Sequence, residues 1–149
     1  MELNERVRAF TADTLAAMGL HLDVAINDTA DGIRVEISGE GGEALLRRRA
    51  EALDALQVIV NTAFRRELND DRSFTVDCLD YRKGKDEELR QMTRFTMERV
   101  KTHRAQQEMG PLNPYARRIV HMTVAEDAAL ASESIGDAFL KTVIISTRK

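Results

Sequence analysis

Two short runs of alternating apolar residues constrain the fold of this chain most strongly. The first run holds Leu22, Val24 and Ile26, and the second, after a polar segment at residues 27–32, holds Ile33, Val35 and Ile37. A period of two is that of a strand whose side chains point alternately to the two faces of a sheet. Two such runs around a polar turn predict a β-hairpin.

Helical patterns lie on both sides of this hairpin. Apolar residues at helical spacing predict helices over residues 5–18, 43–68 and 86–103, and alternation returns in a third strand over residues 73–81. The predicted order is αββααβα, or αββαβα if the middle helix is unbroken. Helices and strands in this order predict the α+β class.

Near the C-terminus, a favourable helix start is followed by a second hairpin. Asn113 can cap the helix, and Pro114 at the first helical position gives up only an amide that needs no partner. The remaining predictions are a connector at residues 106–112, a helix reaching about Asp127, and strands at residues 130–134 and 139–146.

Two potentially cationic side chains share one face of this C-terminal helix. Arg117 and His121 are four residues apart, so they lie one above the other close to the helix N-terminus. Such an arrangement predicts an anion site. Tyr115, Ile119 and Met122 form an apolar stripe on the same helix, and we expect them to pack in the core.

The net charge of −3 by itself argues against a nucleic-acid partner, but the charges are unevenly distributed along the chain. Residues 1–45 carry nine acidic and three basic side chains, whereas residues 46–121 carry twelve acidic and sixteen basic ones. A basic middle segment therefore lies between acidic or neutral ends. It fits either a phosphate-binding surface or ordinary solvated helix faces.

Several functional classes are not supported by the sequence. No apolar run approaches the length of a membrane helix and no signal peptide follows Met1, so we expect a cytoplasmic protein without membrane insertion. The single cysteine, Cys78, excludes a disulfide within the chain and predicts a small buried apolar residue. The sequence contains no nucleophile–base pair, two-histidine metal motif or phosphate-binding glycine loop. We therefore expect no catalysis and no cofactor.

The chain resembles the bacterial Jag proteins, which join a type II KH domain to a small Arg-x-x-x-His domain, here written R-three-H. The C-terminal likeness rests on residues 112–115, on residues 117–121, and on Ser134-x-Gly136-Asp137 before Lys141 and residues 143–145. The earlier likeness rests on residues 53–57 and on Asp77 with Tyr81-Arg82. The resemblance covers nearly the whole length and lacks the separate N-terminal region of some members, which implies a short form.

The resemblance implies a type II KH-like αββααβ domain over residues 1–105 and an R-three-H domain over residues 106–149. It further implies binding of single-stranded RNA, with single-stranded DNA as an alternative, in RNA-level regulation linked to cell elongation or division. A small single-KH protein is the implied protein partner. The implied nucleic-acid-binding residues are Arg117, His121, Arg118, Lys141, Arg47, Arg48 and Arg49.

One departure affects the KH-like region. In KH domains a Gly-x-x-Gly loop lets the backbone press against nucleotides, and the corresponding positions here are Arg47-Arg48-Arg49-Ala50. Arginine and alanine favour a helix by up to about 1 kcal/mol per residue over glycine, so we expect one unbroken helix. The arginines then either supply phosphate contacts or are solvated side chains on a unit that has lost its RNA site. In the second case the chain would act as a protein-interaction adaptor.

Overall fold

The computed structural model describes residues 2–30, 32–69 and 71–148. The chain divides into two compact units, Met1–Lys83 and Gly84–Lys149, called here the first and second unit. The predicted boundary between residues 105 and 106 lies further along the chain and stays a prediction. In the described ranges, no helix is long and apolar enough to cross a membrane.

The first unit is built from two α-helices and a three-stranded sheet. Its elements are α1 (Leu3–Ala17), β1 (Asp23–Thr29), β2 (Gly32–Ser38), a 3-10 helix (Gly42–Leu46), α2 (Arg47–Phe64), a second 3-10 helix (Arg65–Glu67) and β3 (Phe74–Cys78). The strand order is β1-β2-β3, with β1 antiparallel and β3 parallel to β2. The predicted hairpin and third strand are confirmed, although Asp31 of the predicted turn lies outside the described residues.

The core of the first unit lies between the sheet and its helices. The alternating residues Ile33, Val35 and Ile37 are all buried. Cys78 is buried as predicted, and burial raises the pKa of its thiol to about 11. It is therefore a neutral packing residue at physiological pH.

The predicted unbroken helix over residues 43–68 is wrong. Arg47 is extended, and Arg48, Arg49 and Ala50 all have left-handed backbone dihedrals, with φ of 53°, 57° and 61°. The break allows Leu45 before it and Ala50 at its end both to be buried in the same core. Left-handed backbone costs about 1–2 kcal/mol per non-glycine residue, so packing has overridden local helix propensity here.

A buried carboxylate fixes the chain where β3 leads into the next helix, α3 (Tyr81–His103). Asp77 is only 2% exposed, and its Oδ1 accepts from the backbone amides of Cys78 and Arg82, each at 2.8 Å. Its Oδ2 accepts from the Arg34 guanidinium at 3.0 Å and from the Lys83 amide at 3.3 Å. Asp77 therefore satisfies amides of the first helical turn as well as a cation.

In the second unit a second small sheet packs against helices. Besides most of α3, it contains β4 (Gln107–Leu112), α4 (Pro114–Val124), β5 (Leu130–Ile135) and β6 (Lys141–Thr147). The sheet order is β4-β6-β5 and both pairs are antiparallel. Its core is formed by Met97, Val100, Met109, Val120, Val124, Leu130, Val143 and Ile145. With two small sheets and their helices, the predicted α+β class is confirmed.

The predicted connector over residues 106–112 is in fact mostly a strand. Gln107 and Met109 of β4 pair with Ile145 and Val143 of β6, and the register shifts between Met109 and Leu112. The interruption contains Gly110, at a φ of 129°, and a proline. An edge strand tolerates both residues because one of its sides needs no ladder hydrogen bonds. Their usual association with turns is what misled the sequence interpretation.

Candidate nucleic-acid interface

The start of α4 is the local structure that positions the candidate site. Asn113 has an extended backbone, its side-chain oxygen accepts from the Ala116 amide at 2.8 Å, and Pro114 is the first helical residue. This confirms the predicted cap. Because the cap fixes where the helix begins, it also fixes which side chains face the β5–β6 hairpin.

Arg117 connects two parts of the second unit. Its Nη1 donates to the backbone carbonyl of Leu112 at 2.7 Å and to that of Phe139 at 2.9 Å. Leu112 is the last residue of β4, and Phe139 lies in the loop between β5 and β6. One end of the guanidinium is therefore used within the fold, where it joins the loop to the edge of the sheet.

His121, one turn further along α4, lies against β5. Its Nδ1 is 2.6 Å from Ser132 Oγ and its Nε2 is 2.7 Å from Ser134 Oγ. Burial, followed by the nearby Arg117 charge, lowers the pKa of His121 below its ordinary value. The ring is therefore neutral at pH 7, and a neutral imidazole has one N–H donor and one acceptor nitrogen. One serine thus donates to the ring and the other accepts from it.

Ser132 and Ser134 are site residues that sequence reasoning missed as a pair. They are two positions apart on β5 and share a strand face with the buried Leu130. Serines at inward-facing positions of a strand need hydrogen-bond partners, and a nearby histidine is a suitable one. That spacing was the available signal in the sequence.

The predicted apolar stripe on α4 is only partly correct. Ile119 is buried, but Met122 is exposed and Tyr115 is 55% exposed, with its hydroxyl 2.6 Å from Asp86 Oδ2. The buried face of the helix instead runs through Ile119, Val120, Thr123 and Val124. The face turned toward the sheet is thus rotated relative to the predicted one, which leaves Tyr115 at the surface.

The other two predicted cations of this unit are Arg118 on α4 and Lys141 at the start of β6. Arg118 follows Arg117 on α4 and is exposed. Lys141 begins β6, pairs with Leu112 and is partly exposed. Because Leu112 also accepts from Arg117, Lys141 and Arg117 meet the same strand end. Two basic residues, Arg117 and Lys141, therefore lie close to the start of β6.

The β5–β6 loop also exposes apolar side chains. Phe139 is 72% exposed, and the flanking Ile135 and Leu140 are exposed as well. Gly136 begins the loop with a φ of 123°, a conformation that glycine adopts without strain. Sequence reasoning placed Phe139 at the start of a strand, whereas β6 begins at Lys141.

Arg47, Arg48 and Arg49 belong to the first unit and form a separate candidate surface. All three side chains are exposed. Within the ranges that the structure describes, none of the three guanidinium groups takes part in a hydrogen bond or ion pair. The left-handed turn therefore displays three exposed positive charges beside the buried Ala50.

One family model and two curated relatives match this chain. The family model described as the R-three-H domain matches residues 87–146, which lie within the second unit. The RNA-binding protein KhpB of Clostridium symbiosum is 26% identical over 149 residues, covering 99% of this chain and 67% of that protein. The RNA-binding protein KhpB of Bacillus subtilis (strain 168) is 25% identical over 129 residues, covering 85% of this chain and 62% of that protein. The chain thus spans about two thirds of the length of these relatives, and its second unit carries the match to the R-three-H domain family.

Proposed function

We propose that this chain is a single-stranded RNA-binding protein that acts, without catalysis, in RNA-level regulation linked to cell elongation or division in the cytoplasm. Single-stranded DNA is the alternative ligand. The observation that carries the proposal is the convergence of Arg117, His121 and the exposed Phe139 at one end of the unit matched by the R-three-H family model. The names of the two relatives support RNA as the ligand.

In the second unit, the proposed RNA surface consists of α4 and the β5–β6 loop. Arg118 and Lys141 supply positive charge to phosphates, while Arg117 Nη1 is bonded to the backbone of Leu112 and Phe139. His121 contributes through its neutral ring and its two serine partners. This surface combines charge with an aromatic ring, as single-strand-binding surfaces do.

In the first unit, the proposed RNA surface is the left-handed turn at Arg47–Ala50. The element order of this unit supports its interpretation as a KH-like domain, with this turn in the position of the Gly-x-x-Gly loop. Because the backbone breaks there, the three arginines project from a loop instead of a continuous helix surface. We propose that they contact phosphates without sequence preference.

Fluorescence anisotropy with a labelled single-stranded RNA 12-mer and the intact chain tests this function. The affinity is expected to fall by about 0.7 log unit per log unit of salt for each phosphate contacted. Replacing Arg47, Arg48 and Arg49 together by Gln should weaken binding and reduce that slope. The matched control replaces Arg8, Arg65 and Arg66, which are also exposed in the first unit and change the net charge equally. Absence of salt-dependent binding by the parent chain would overturn the proposal.

A second candidate function is that of a protein-interaction adaptor whose KH-like unit docks a small single-KH protein. The observation that favours it is the exposure of two adjacent apolar side chains, Val58 and Ile59, on α2. Apolar side chains exposed side by side are typical of protein contacts. Size-exclusion chromatography with a purified single-KH protein tests it: co-elution that Val58→Lys abolishes, without RNA binding by the chain, would favour the adaptor.

A further inference from the structure

Phe139 is an exposed aromatic residue on a loop that the fold holds in place. The side chain is 72% exposed, while the backbone carbonyl of the same residue accepts from Arg117 Nη1 at 2.9 Å. The same guanidinium nitrogen donates to Leu112 at 2.7 Å. The loop is therefore attached to α4 and to β4 through one side chain, and the ring itself stays exposed.

Two of the five phenylalanines of the chain, Phe139 and Phe95, are exposed. Phe74 is buried, and Phe10 packs against Phe64 in an edge-to-face contact with centroids 5.3 Å apart. Phe95 on α3 is also exposed, at 66%, but it lies in the middle of a regular helix. One residue separates Phe139 from Lys141, and Arg117 donates to the Phe139 carbonyl, so two basic residues lie close to Phe139 along the chain or at its backbone.

The surroundings of Phe139 fit a nucleobase followed along the strand by a phosphate. An aromatic face stacks on any base, and Lys141, two residues further along the chain, provides positive charge against the single acidic side chain of the loop, Asp137. The flanking Leu140 adds a further exposed apolar surface. An apolar protein partner would use the same ring without needing its aromaticity, which gives an experimental distinction.

We propose that Phe139 stacks on a base of a bound single strand and that Arg117 is the positioning residue that holds the Phe139 loop. This inference rests on the proposed RNA-binding function and refines it. Arg117 Nη1 bonds to the protein backbone. The base is contacted by Phe139, which lies outside the Arg-x-x-x-His motif. The ring then supplies affinity that depends little on salt, because stacking neutralises no phosphate.

The test uses the intact chain and a single-stranded RNA 12-mer in which one internal base is 2-aminopurine, whose fluorescence falls when the base stacks on a new ring. The parent chain should change that fluorescence at saturation. Phe139→Leu, which keeps an apolar side chain, should lose most of the change and bind about tenfold more weakly, within the range of one stacking contact. Phe139→Trp should retain both the fluorescence change and the affinity of the parent. The matched control Phe95→Leu removes an equally exposed ring from α3 and should behave as the parent.

The role of Arg117 has its own readout. If Arg117 positions the loop, Arg117→Gln should give a smaller change of 2-aminopurine fluorescence at saturation than the parent. The salt dependence of the affinity should be unchanged. If instead it contacts a phosphate, the slope of log affinity against log salt should fall by about 0.7 in magnitude. The fluorescence change at saturation should then equal that of the parent. The second result would overturn the positioning role.

The outcomes separate this inference from the proposed function. RNA binding by the parent with an unchanged signal and affinity in Phe139→Leu would overturn the stacking assignment and leave RNA binding standing. Equal binding by the Leu and Trp variants, both tighter than Phe139→Ala, would reduce the contact to a purely apolar one and also overturn it. A parent chain that binds no RNA would overturn the proposed function together with this inference.

Discussion

The imidazole of His121 and the hydroxyl of Ser134 lie 2.7 Å apart, joining α4 to β5 through a neutral ring. A histidine held in this way contributes to the stability of the fold itself. It gives the Arg-x-x-x-His motif a structural function besides any contact with a ligand.

The stability of the protein should depend on the protonation of His121. Its folded-state pKa is lowered, so its contribution is fully present above the unfolded pKa of about 6.5 and is lost as the pH falls through the folded value. Urea unfolding at pH 7.5 and 5.5 measures this, with His121→Gln as the reference that cannot titrate there. The parent should lose more stability than the variant on acidification. A parent that gains stability relative to the variant would contradict the assigned direction.

Removing one serine partner should destabilise the second unit. In Ser134→Ala, His121 Nε2 loses its hydrogen bond at a half-buried position, which costs about 1–2 kcal/mol of unfolding free energy. Ser146→Ala on β6, whose side chain takes part in no hydrogen bond among the described residues, should change it by less than about 0.5 kcal/mol. Urea denaturation of both variants makes the comparison. Equal effects would show that the His121–Ser134 contact contributes nothing specific.

Glycine at Arg49 should stabilise the protein. Arg49 is exposed with a φ of 57°, a strained conformation for arginine and an unstrained one for glycine. Relief of about 1–2 kcal/mol exceeds the entropy that glycine adds to the unfolded chain, so a net gain of about 0.5–1 kcal/mol is expected. Arg99→Gly, at an exposed position of the regular helix α3, should destabilise by about 1 kcal/mol. In thermal unfolding, the melting temperature should be higher than that of the parent for Arg49→Gly and lower for Arg99→Gly.

Loss of the Asp77 charge should be severe. The carboxylate is buried and accepts from Arg34 and from three backbone amides, so Asp77→Asn leaves a half-buried guanidinium without its closest anion. Breaking such a pair costs about 3–5 kcal/mol. Asp54→Asn removes an exposed carboxylate from its pair with Arg82 and should cost at most about 1 kcal/mol. Urea midpoints that differ little between the two variants would disprove the buried role of Asp77.

The parts of the fold that follow from short-range patterns were predictable. The hairpin of β1 and β2 follows from six alternating apolar residues, and the start of α4 follows from Asn113 and Pro114. Each depends on residues that are close in sequence. The relation of Arg117 to His121 on α4 was predictable for the same reason, because helical spacing alone defines it.

The parts that were missed depend on contacts between distant residues. The break at Arg48–Ala50 reflects the core around Leu45, and strand β4 exists because β6 is there to pair with it. The two hydrogen bonds of the His121 ring depend on serines of strand β5. The exposure of Phe139 likewise depends on where Arg117 holds its loop. None of these relations can be predicted from a short segment of the sequence.

The central position of β6 has a consequence for how the second unit forms during protein synthesis. β6 is the last of the three strands in the sequence, yet both β4 and β5 pair with it. On the ribosome, β4 and β5 therefore emerge before their common neighbour exists. The sheet can close only after Thr147 has left the exit tunnel, so Arg117 finds its loop partner near the end of translation of this unit.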